Sequence, residues 1–448
     1  MLSGATFSIT TFGCQMNKHD SERVSGMLQE LGMRRVDTLP EADVVVFMTC
    51  CVREKADERL MGQVASMKNI PVRSESRFGK RYVCIGGCIG QRDGQALLES
   101  LPHVDLVFGT HNLDELPHLL QEVVEDHTRQ ASIIDGRTEF HDILPESREQ
   151  AWAAWLPITV GCNNFCTYCV VPYVRGREIS RPFEEIEMQA GRYVADGVKE
   201  ITLLGQNVNS YGRDLYGKPR FDDVLDVVAA SGVERIRFAT SHPKDLSDAV
   251  IARFASLDNL MPALHLPVQS GSDTILEAMN RRYTSNHYLS LIEKLRAIRP
   301  DIALSTDIIV GFPGETEEDF LRTCDIVREV GYTQVFTFIY SKRAGTPAAD
   351  MIDETPREVI QDRFDRLRAI VEEGALSANK SFEGTLAKVL FEGSAKKGSG
   401  VAMGKSEHGL TVHVQMDDDD AVQALAGKIA PVHIDESKTW YLRGSLIS

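Results

Sequence analysis

Gly161-Cys162-Asn163-Asn164-Phe165-Cys166-Thr167-Tyr168-Cys169 holds three cysteines at C-x3-C-x2-C spacing, directly after the apolar run Leu156-Pro157-Ile158-Thr159-Val160. The apolar run predicts a strand that ends where the cysteine loop begins. Three thiols on one loop do not behave like ordinary core cysteines, which are buried small hydrophobes. Thiolates are the ligands of a [4Fe–4S] cluster, which takes four. With three on the loop, one iron would stay open to chelate a small molecule. A zinc site would ask for a fourth Cys or His at short spacing, and none lies close by. Buried thiols without a metal are the remaining reading.

Outward from this loop the chain alternates β-rich and helical patterns. Strands are predicted at Leu156–Val160, Glu200–Leu204, Arg235–Ala239, Ala263–Pro267, Ala303–Val310 and Gln334–Ile339, with a long charged helix from about Thr355 to Lys380. Six βα units suit a partial (β/α)6 barrel, whose site lies at the carboxyl ends of its strands. The cysteine loop falls at that end. Earlier, candidate strands Ala5–Phe12, Asp43–Met48, Arg81–Ile85 and Asp105–Phe108 alternate with helical patterns at Asn17–Leu31, Arg53–Met67 and Leu113–Val124, as in a parallel sheet covered by helices. After Lys380, short segments such as Thr385–Phe391, Leu410–Val414 and Lys428–Ile434 suggest a small antiparallel β-barrel. The predicted class is α/β: a parallel α/β sheet domain over 1–125, a linker with an edge strand over 126–150, the partial barrel over 151–380, and the β-barrel over 381–448.

Cys14, Cys50 and Cys88 each end one of the first three predicted strands, one βα unit apart. Parallel strands finish on a common edge, where ligands bind, so three distant thiols can converge. Three unrelated buried or helix-capping thiols fit the spacing equally well. Cys51, Cys84 and Cys324 lack this placement and read as structural, with Cys51 expected on the opposite face from Cys50.

The bulk numbers narrow the class. The chain has 448 residues, 43% hydrophobic and 25% charged, as in soluble multidomain proteins. Its longest apolar run, Val44 to Val52, is too short to span a bilayer. No signal peptide is read, which predicts a cytoplasmic protein whose nine Cys serve metal rather than disulfides. The formal charge of −16 argues against a protein that coats nucleic acid, though net charge is a weak guide to a local site. The basic clusters Arg73/Arg77/Lys80/Arg81, Arg175/Arg177/Arg181, Arg281-Arg282 and Lys396-Lys397 each read, alone, as a solvated face, and Asp417 to Asp420 as an exposed acidic loop.

The C-x3-C-x2-C loop, with an aromatic before its last cysteine, resembles the radical S-adenosylmethionine (SAM) superfamily. Within it, Thr11-Phe12-Gly13-Cys14-Gln15-Met16-Asn17, Thr49-Cys50 with Val52-Arg53-Glu54-Lys55-Ala56, Gly87-Cys88 with Gln91, and Cys169-Val170-Val171-Pro172-Tyr173-Val174-Arg175-Gly176-Arg177 are similar to the methylthiotransferases. The C-terminal stretch resembles their RNA-binding TRAM module. Leu204-Gly205-Gln206-Asn207-Val208-Asn209-Ser210-Tyr211-Gly212 resembles the branch that acts on dimethylallyladenosine in tRNA. Met48, Ile89-Gly90, Lys342 and Ala344 depart from the family pattern, and Gly404 to Gly409 fits the module loosely.

The resemblance implies two [4Fe–4S] clusters. One, on Cys162, Cys166 and Cys169, binds SAM and cleaves it to a 5′-deoxyadenosyl radical; the other, on Cys14, Cys50 and Cys88, supplies sulfur, and a second SAM gives the methyl group. Tyr168 would lie against the SAM adenine, with Gln206, Asn207, Gln269 and Asp307 reaching its polar groups from strand ends; loop filling and strand-end capping are their bland alternatives. Gly311-Phe312-Pro313-Gly314-Glu315 is no phosphate loop, lacking the Lys-Ser/Thr ending, and reads otherwise as a turn into a helix. The partner implied is a tRNA anticodon loop gripped by Lys388, Lys396, Lys397, Lys405 and Arg443, with an electron donor and a sulfur source, no membrane, and a monomeric enzyme. Rival readings are action on threonylcarbamoyladenosine in tRNA, on a ribosomal-protein aspartate, or an iron–sulfur RNA-binding redox sensor.

Overall fold

The computed structural model describes residues 2–51, 54–136, 144–396 and 398–447. Val52, Arg53 and Lys397, which entered the sequence reading, and 137–143 of the predicted linker lie outside them. Strands β1 (Thr6–Thr11), β2 (Arg34–Arg35), β3 (Val44–Thr49), β4 (Tyr82–Gly87), β5 (Leu106–Phe108) and β6 (Gln130–Ser132) form one parallel sheet, ordered β2-β1-β3-β4-β5-β6. The central β3, VVVFMT, is buried at every position, as expected of a parallel strand covered on both faces. Helices Gln15–Glu30 and Cys88–Ser100 leave the ends of β1 and β4. The second was not predicted: Gly90 and Gly94 blur its periodicity, and Gly94 breaks it with φ 40.

The central strands are β7 (Ala153–Pro157), β8 (Thr159–Val160), β9 (Ile179–Ser180), β10 (Glu200–Leu204), β11 (Arg235–Phe238), β12 (Ala263–His265), β13 (Ala303–Val310) and β14 (Gln334–Ile339), of which all but β8 and β9 belong to the barrel. Two parallel three-stranded sheets, β11-β10-β7 and β12-β13-β14, are joined by an Ile236–Leu260 bridge, giving six sequential barrel strands. The predicted strand Leu156–Val160 is split: β8 leaves the barrel to pair antiparallel with β9. On β13, Leu304, Thr306, Ile308 and Val310 are buried while Ser305, Asp307 and Ile309 remain partly open, so the polar row faces the lumen. The Gly311–Glu315 stretch is a turn in which Gly311 N donates to Glu315 Oε2 at 2.9 Å, and the next helix starts with a Thr316–Asp319 capping box.

Strands β15 (Leu386–Ser394), β16 (Val401–Ser406), β17 (Thr411–Gln415), β18 (Ile429–Ser437) and β19 (Leu442–Leu446) close into a barrel, β15-β16-β17-β19-β18. It departs from the antiparallel expectation at one place, where β17 and β19 run parallel. The acidic run is not a loop: Asp418 caps the helix Asp419–Leu425, accepting from Ala421 N at 2.8 Å, where carboxylates complement the helix N-terminus. Arg235 donates to Lys388 O (2.7 Å) and Lys405 O (3.0 Å), and Arg237 to Ser406 O (2.7 Å) and Glu407 O (3.2 Å), hanging this module on the central barrel.

Candidate active site

Adjacent pairing of β1, β3 and β4 aligns their carboxyl ends, with Thr11 opposite Met48 and Thr49 opposite Gly87. Cys14, Cys50 and Cys88 follow at one edge. Cys14 is the N-cap of its helix and Cys88 the first residue of its own, so two thiols face helix N-termini, which favour thiolate. Asn17 Nδ2 donates to Phe12 O and Thr49 O, both at 2.8 Å, and ties two of the strand ends together. Gly13 is at φ +114, and a Cβ there would lie 2.2 Å from Cys50 Cβ, so the close approach requires glycine. A hydrogen bond from Cys50 and the Arg175 charge hold the Cys14 thiol below the ordinary range, against burial. Cys88 is lowered by a hydrogen bond from Cys51. Contrary to the expectation that it faces away, Cys51 therefore lies beside the site; its own thiol, donating to Cys88 and buried, is pushed far up. Cys84 and Cys324 are buried core residues.

Cys162, Cys166 and Cys169 occupy the loop after β8. Cys162 N donates to Gly176 O (3.1 Å) and Cys169 N to Cys166 O (2.9 Å), while Arg177 stacks over Phe165 at 4.4 Å. Burial pushes the Cys162 thiol up to about 11 and the Cys169 thiol to about 12. Arg281, from a loop beyond β12, is the residue that sequence reasoning missed here. Its buried guanidinium donates to Cys166 Sγ (3.4 Å), Tyr168 OH (3.5 Å), Pro267 O (2.9 Å) and Tyr283 OH (3.1 Å). Phe165, Thr240, Gln269, Asn280 and Arg282 all carry positive φ, and five such non-glycine residues around one mouth concentrate backbone strain there. The basic clusters are thus not simply solvated faces: Arg81, Arg175, Arg181 and Arg281 are all buried.

Tyr168 rests against Ile275, Met279 and Phe312. Gln269 is buried at φ 70; its N donates to Asp307 O and its O accepts from Ile309 N. Asp307 Oδ2 lies 3.4 Å from His265 Nε2 in the lumen. Gln206 is half-buried, whereas Asn207 is buried and donates from Nδ2 to Asp245 Oδ2 at 2.7 Å. Val208 and Tyr211 lie in the barrel core, so the Gly205–Tyr211 segment does not offer an apolar wall to the mouth. Asn207 Oδ1, Asn209 Nδ2, Ser241 Oγ and His242 Nε2 are buried without a hydrogen-bond partner among the described residues. Four orphaned polar atoms beyond β10 and β11 ask for a polar ligand. Neither Ser241 nor His242 was predicted; only their position just after a barrel strand signals them.

No group of three His, Cys, Asp or Glu side chains among the described residues is spaced for one metal ion. The donor set suits a cluster instead: two sets of three cysteines, each with a buried arginine beside a sulfur. On the C-terminal barrel, His413 stacks on Tyr441 at 4.6 Å with Arg443 beyond it at 5.8 Å, and Lys388 and Lys396 are exposed. Lys405 is not part of an open grip: it is drawn in to Thr411 Oγ1 at 2.8 Å, where burial lowers its pKa. No described helix is long and apolar enough to cross a membrane.

Residues 156–327 match the Radical SAM superfamily and residues 6–109 the Uncharacterized protein family UPF0004. A structure of the radical S-adenosylmethionine methyltransferase TsrM from Kitasatospora setae superposes with TM-score 0.55 over 77% of both chains at 12% identity, which shows the shared fold. The tRNA-2-methylthio-N(6)-dimethylallyladenosine synthase of Carboxydothermus hydrogenoformans is 44% identical over 445 residues, 99% of each chain. That of Clostridium botulinum (strain Loch Maree / Type A3) is 45% identical over 98% of this chain and 97% of its own. Identity of this order, unbroken across the sheet domain, the barrel and the C-terminal module, places the chain in the tRNA-2-methylthio-N(6)-dimethylallyladenosine synthase family.

Proposed function

We propose that the chain is a radical SAM methylthiotransferase that converts N6-dimethylallyladenosine, next to the anticodon of tRNA, to its 2-methylthio derivative. The observation that carries this reading is the juxtaposition of the two cysteine sets. Val170 and Val174, just beyond Cys169, share one apolar cluster with Cys51 and Cys88, which brings the two cysteine sets near each other. Two cysteine sets brought near each other are what insertion of sulfur at an unactivated aromatic C–H requires.

Cys162, Cys166 and Cys169 hold one [4Fe–4S] cluster in this reading, and Cys14, Cys50 and Cys88 the other. When bound, these groups and SAM supply the reductive cleavage, the radical and the sulfur that no side-chain acid or base provides. The protein binds and orients. Arg281 fixes Cys166 and Tyr168 relative to β12 through Pro267 O. Gln206, Asn207, Gln269 and Asp307, joined by Asn209, Ser241 and His242, offer the polar atoms that meet SAM. His242 Nδ1 accepts from Lys244 N at 3.2 Å and its pKa is depressed by burial, so the neutral ring keeps its proton on Nε2 as a donor. Tyr168 backs the adenine. The C-terminal barrel grips the anticodon arm through Lys388, Lys396 and Arg443, and the Tyr441–His413 stack supplies a platform for an unpaired base. The enzyme works as a cytoplasmic monomer, drawing electrons from a reductant and sulfur from a donor.

The test is turnover by reconstituted enzyme on three tRNA substrates: unmodified, prenylated and threonylcarbamoylated. Methylthio product is expected on the prenylated tRNA. Product on the threonylcarbamoylated tRNA alone would overturn the assignment.

A further inference from the structure

Arg175 belongs to the central cysteine loop by sequence and to the N-terminal domain by contact. The short helix Val171–Val174 carries it out of the barrel mouth, and Thr110 Oγ1 donates to Val174 O at 2.8 Å to fix the exit. The guanidinium is 7% exposed, and its Nη2 donates to Asn17 Oδ1 and Asp20 Oδ2, both at 2.9 Å. Asn17 is the residue that clamps the strand ends before Cys14 and Cys50. Cys88 and Cys14 both lie within the field of the same guanidinium.

A buried cation is costly unless paired. Asp20 balances Arg175 on one side, and sulfur faces it on the other. Hydrogen bonds to sulfur and local net charge are among the factors that set iron–sulfur potentials. A guanidinium beside the ligands favours the more negative, reduced state. We infer that Arg175 is the positioning residue by which the central loop raises the reduction potential of the cluster on Cys14, Cys50 and Cys88. The inference rests on the two-cluster reading above. It makes the loop that binds one cluster a part of the electrostatic environment of the other, so the two sites are coupled through one side chain.

The experiment is an anaerobic redox titration, followed by electron paramagnetic resonance, on full-length protein in two backgrounds. In Cys162→Ala/Cys166→Ala/Cys169→Ala protein, only the N-terminal cluster is present. There, Arg175→Met should lower the potential, Arg175→Lys should restore part of it, and Asp20→Asn should raise it. In Cys14→Ala/Cys50→Ala/Cys88→Ala protein none of the three should move the remaining cluster. Opposite shifts for Arg175→Met and Asp20→Asn are a signature that simple loosening of the fold does not give. If Arg175→Met loses its iron, Asp20→Asn decides alone, and an unmoved potential overturns the inference. Equal shifts in both backgrounds overturn it too. If the first background binds no iron, the two-cluster reading itself fails and the inference falls with it.

Discussion

Arg281 Nη1 lies 3.4 Å from Cys166 Sγ, although 115 residues of chain separate them. The same side chain holds Pro267 O at the carboxyl end of the fourth barrel strand. A planar fork with several donors can span a sulfur, a phenol and a carbonyl at once, and an ammonium cannot. Arg281→Met should therefore destabilise cluster-free protein by about 2–3 kcal/mol, the scale of a hydrogen bond to a charged donor in a buried site. Arg281→Lys should recover little of it. Urea denaturation gives the stability, and 5′-deoxyadenosine release by the reconstituted variants gives the consequence for SAM cleavage, which should fall in both.

Iron content separates the two cysteine sets. Wild-type protein reconstituted without oxygen should hold about eight irons, and Cys162→Ala/Cys166→Ala/Cys169→Ala about four. Cys14→Ala/Cys50→Ala/Cys88→Ala should also hold about four, and should still release 5′-deoxyadenosine while making no methylthio product. A folded triple variant with all of its iron, or none, contradicts the assignment.

Glu178 gives a pH signature. Burial, against a hydrogen bond from Ser210 and with Asp214 and Asp245 nearby, raises its carboxyl from 4.5 to about 7. A carboxyl with a raised folded pKa binds its proton more tightly in the native state. Its stabilising contribution is full below pH 4.5 and is lost as pH rises through about 7. Cluster-free wild-type protein should lose stability between pH 5 and pH 8 on this account. Glu178→Gln should match it near pH 5 and exceed it at pH 8 by up to about 3 kcal/mol, at about 1.36 kcal/mol per pH unit. Glu22 and Glu315, raised to about 7 by burial, keep part of the slope in the variant.

On the C-terminal barrel the open and the buried cations should behave differently. Tyr441→Ala removes a stacking surface worth about 1–3 kcal/mol per base, so tRNA affinity should drop by about one to two powers of ten. Arg443→Ala should reduce the salt dependence of binding. Lys405→Met, buried against Glu392 and Thr411, should leave that salt dependence unchanged. Filter binding over a salt series checks all three.

Periodicity located the barrel well where strands are long and alternate: β10, β13 and β14 begin and end at the predicted residues. It missed β16 and β19, whose glycines and polar residues dilute the pattern, and the helix from Cys88, which opens on glycines. The cysteines stood out because thiols are rare: the central set by its compact spacing, and Cys14, Cys50 and Cys88 by intervals of one βα unit, which alone left unrelated thiols an equal reading. Arg175 and Arg281 did not, because an arginine in sequence carries no sign of burial. Each gains its meaning from a partner that only the folded chain brings near. Cys51 was misplaced for the opposite reason: strand alternation was extended beyond Thr49, where β3 ends.

Arg235 and Arg237 fasten the C-terminal barrel through carbonyl oxygens of Lys388, Lys405, Ser406 and Glu407. A main-chain oxygen is present whatever amino acid bears it. The mounting itself therefore does not depend on which side chains the rim carries, and what constrains them is their own contacts, Lys405 with Thr411, Ser406 with Leu410 N and Glu407 with Lys388 N. The loose match of Gly404 to Gly409 to the family pattern thus leaves the acceptors of Arg235 and Arg237 in place.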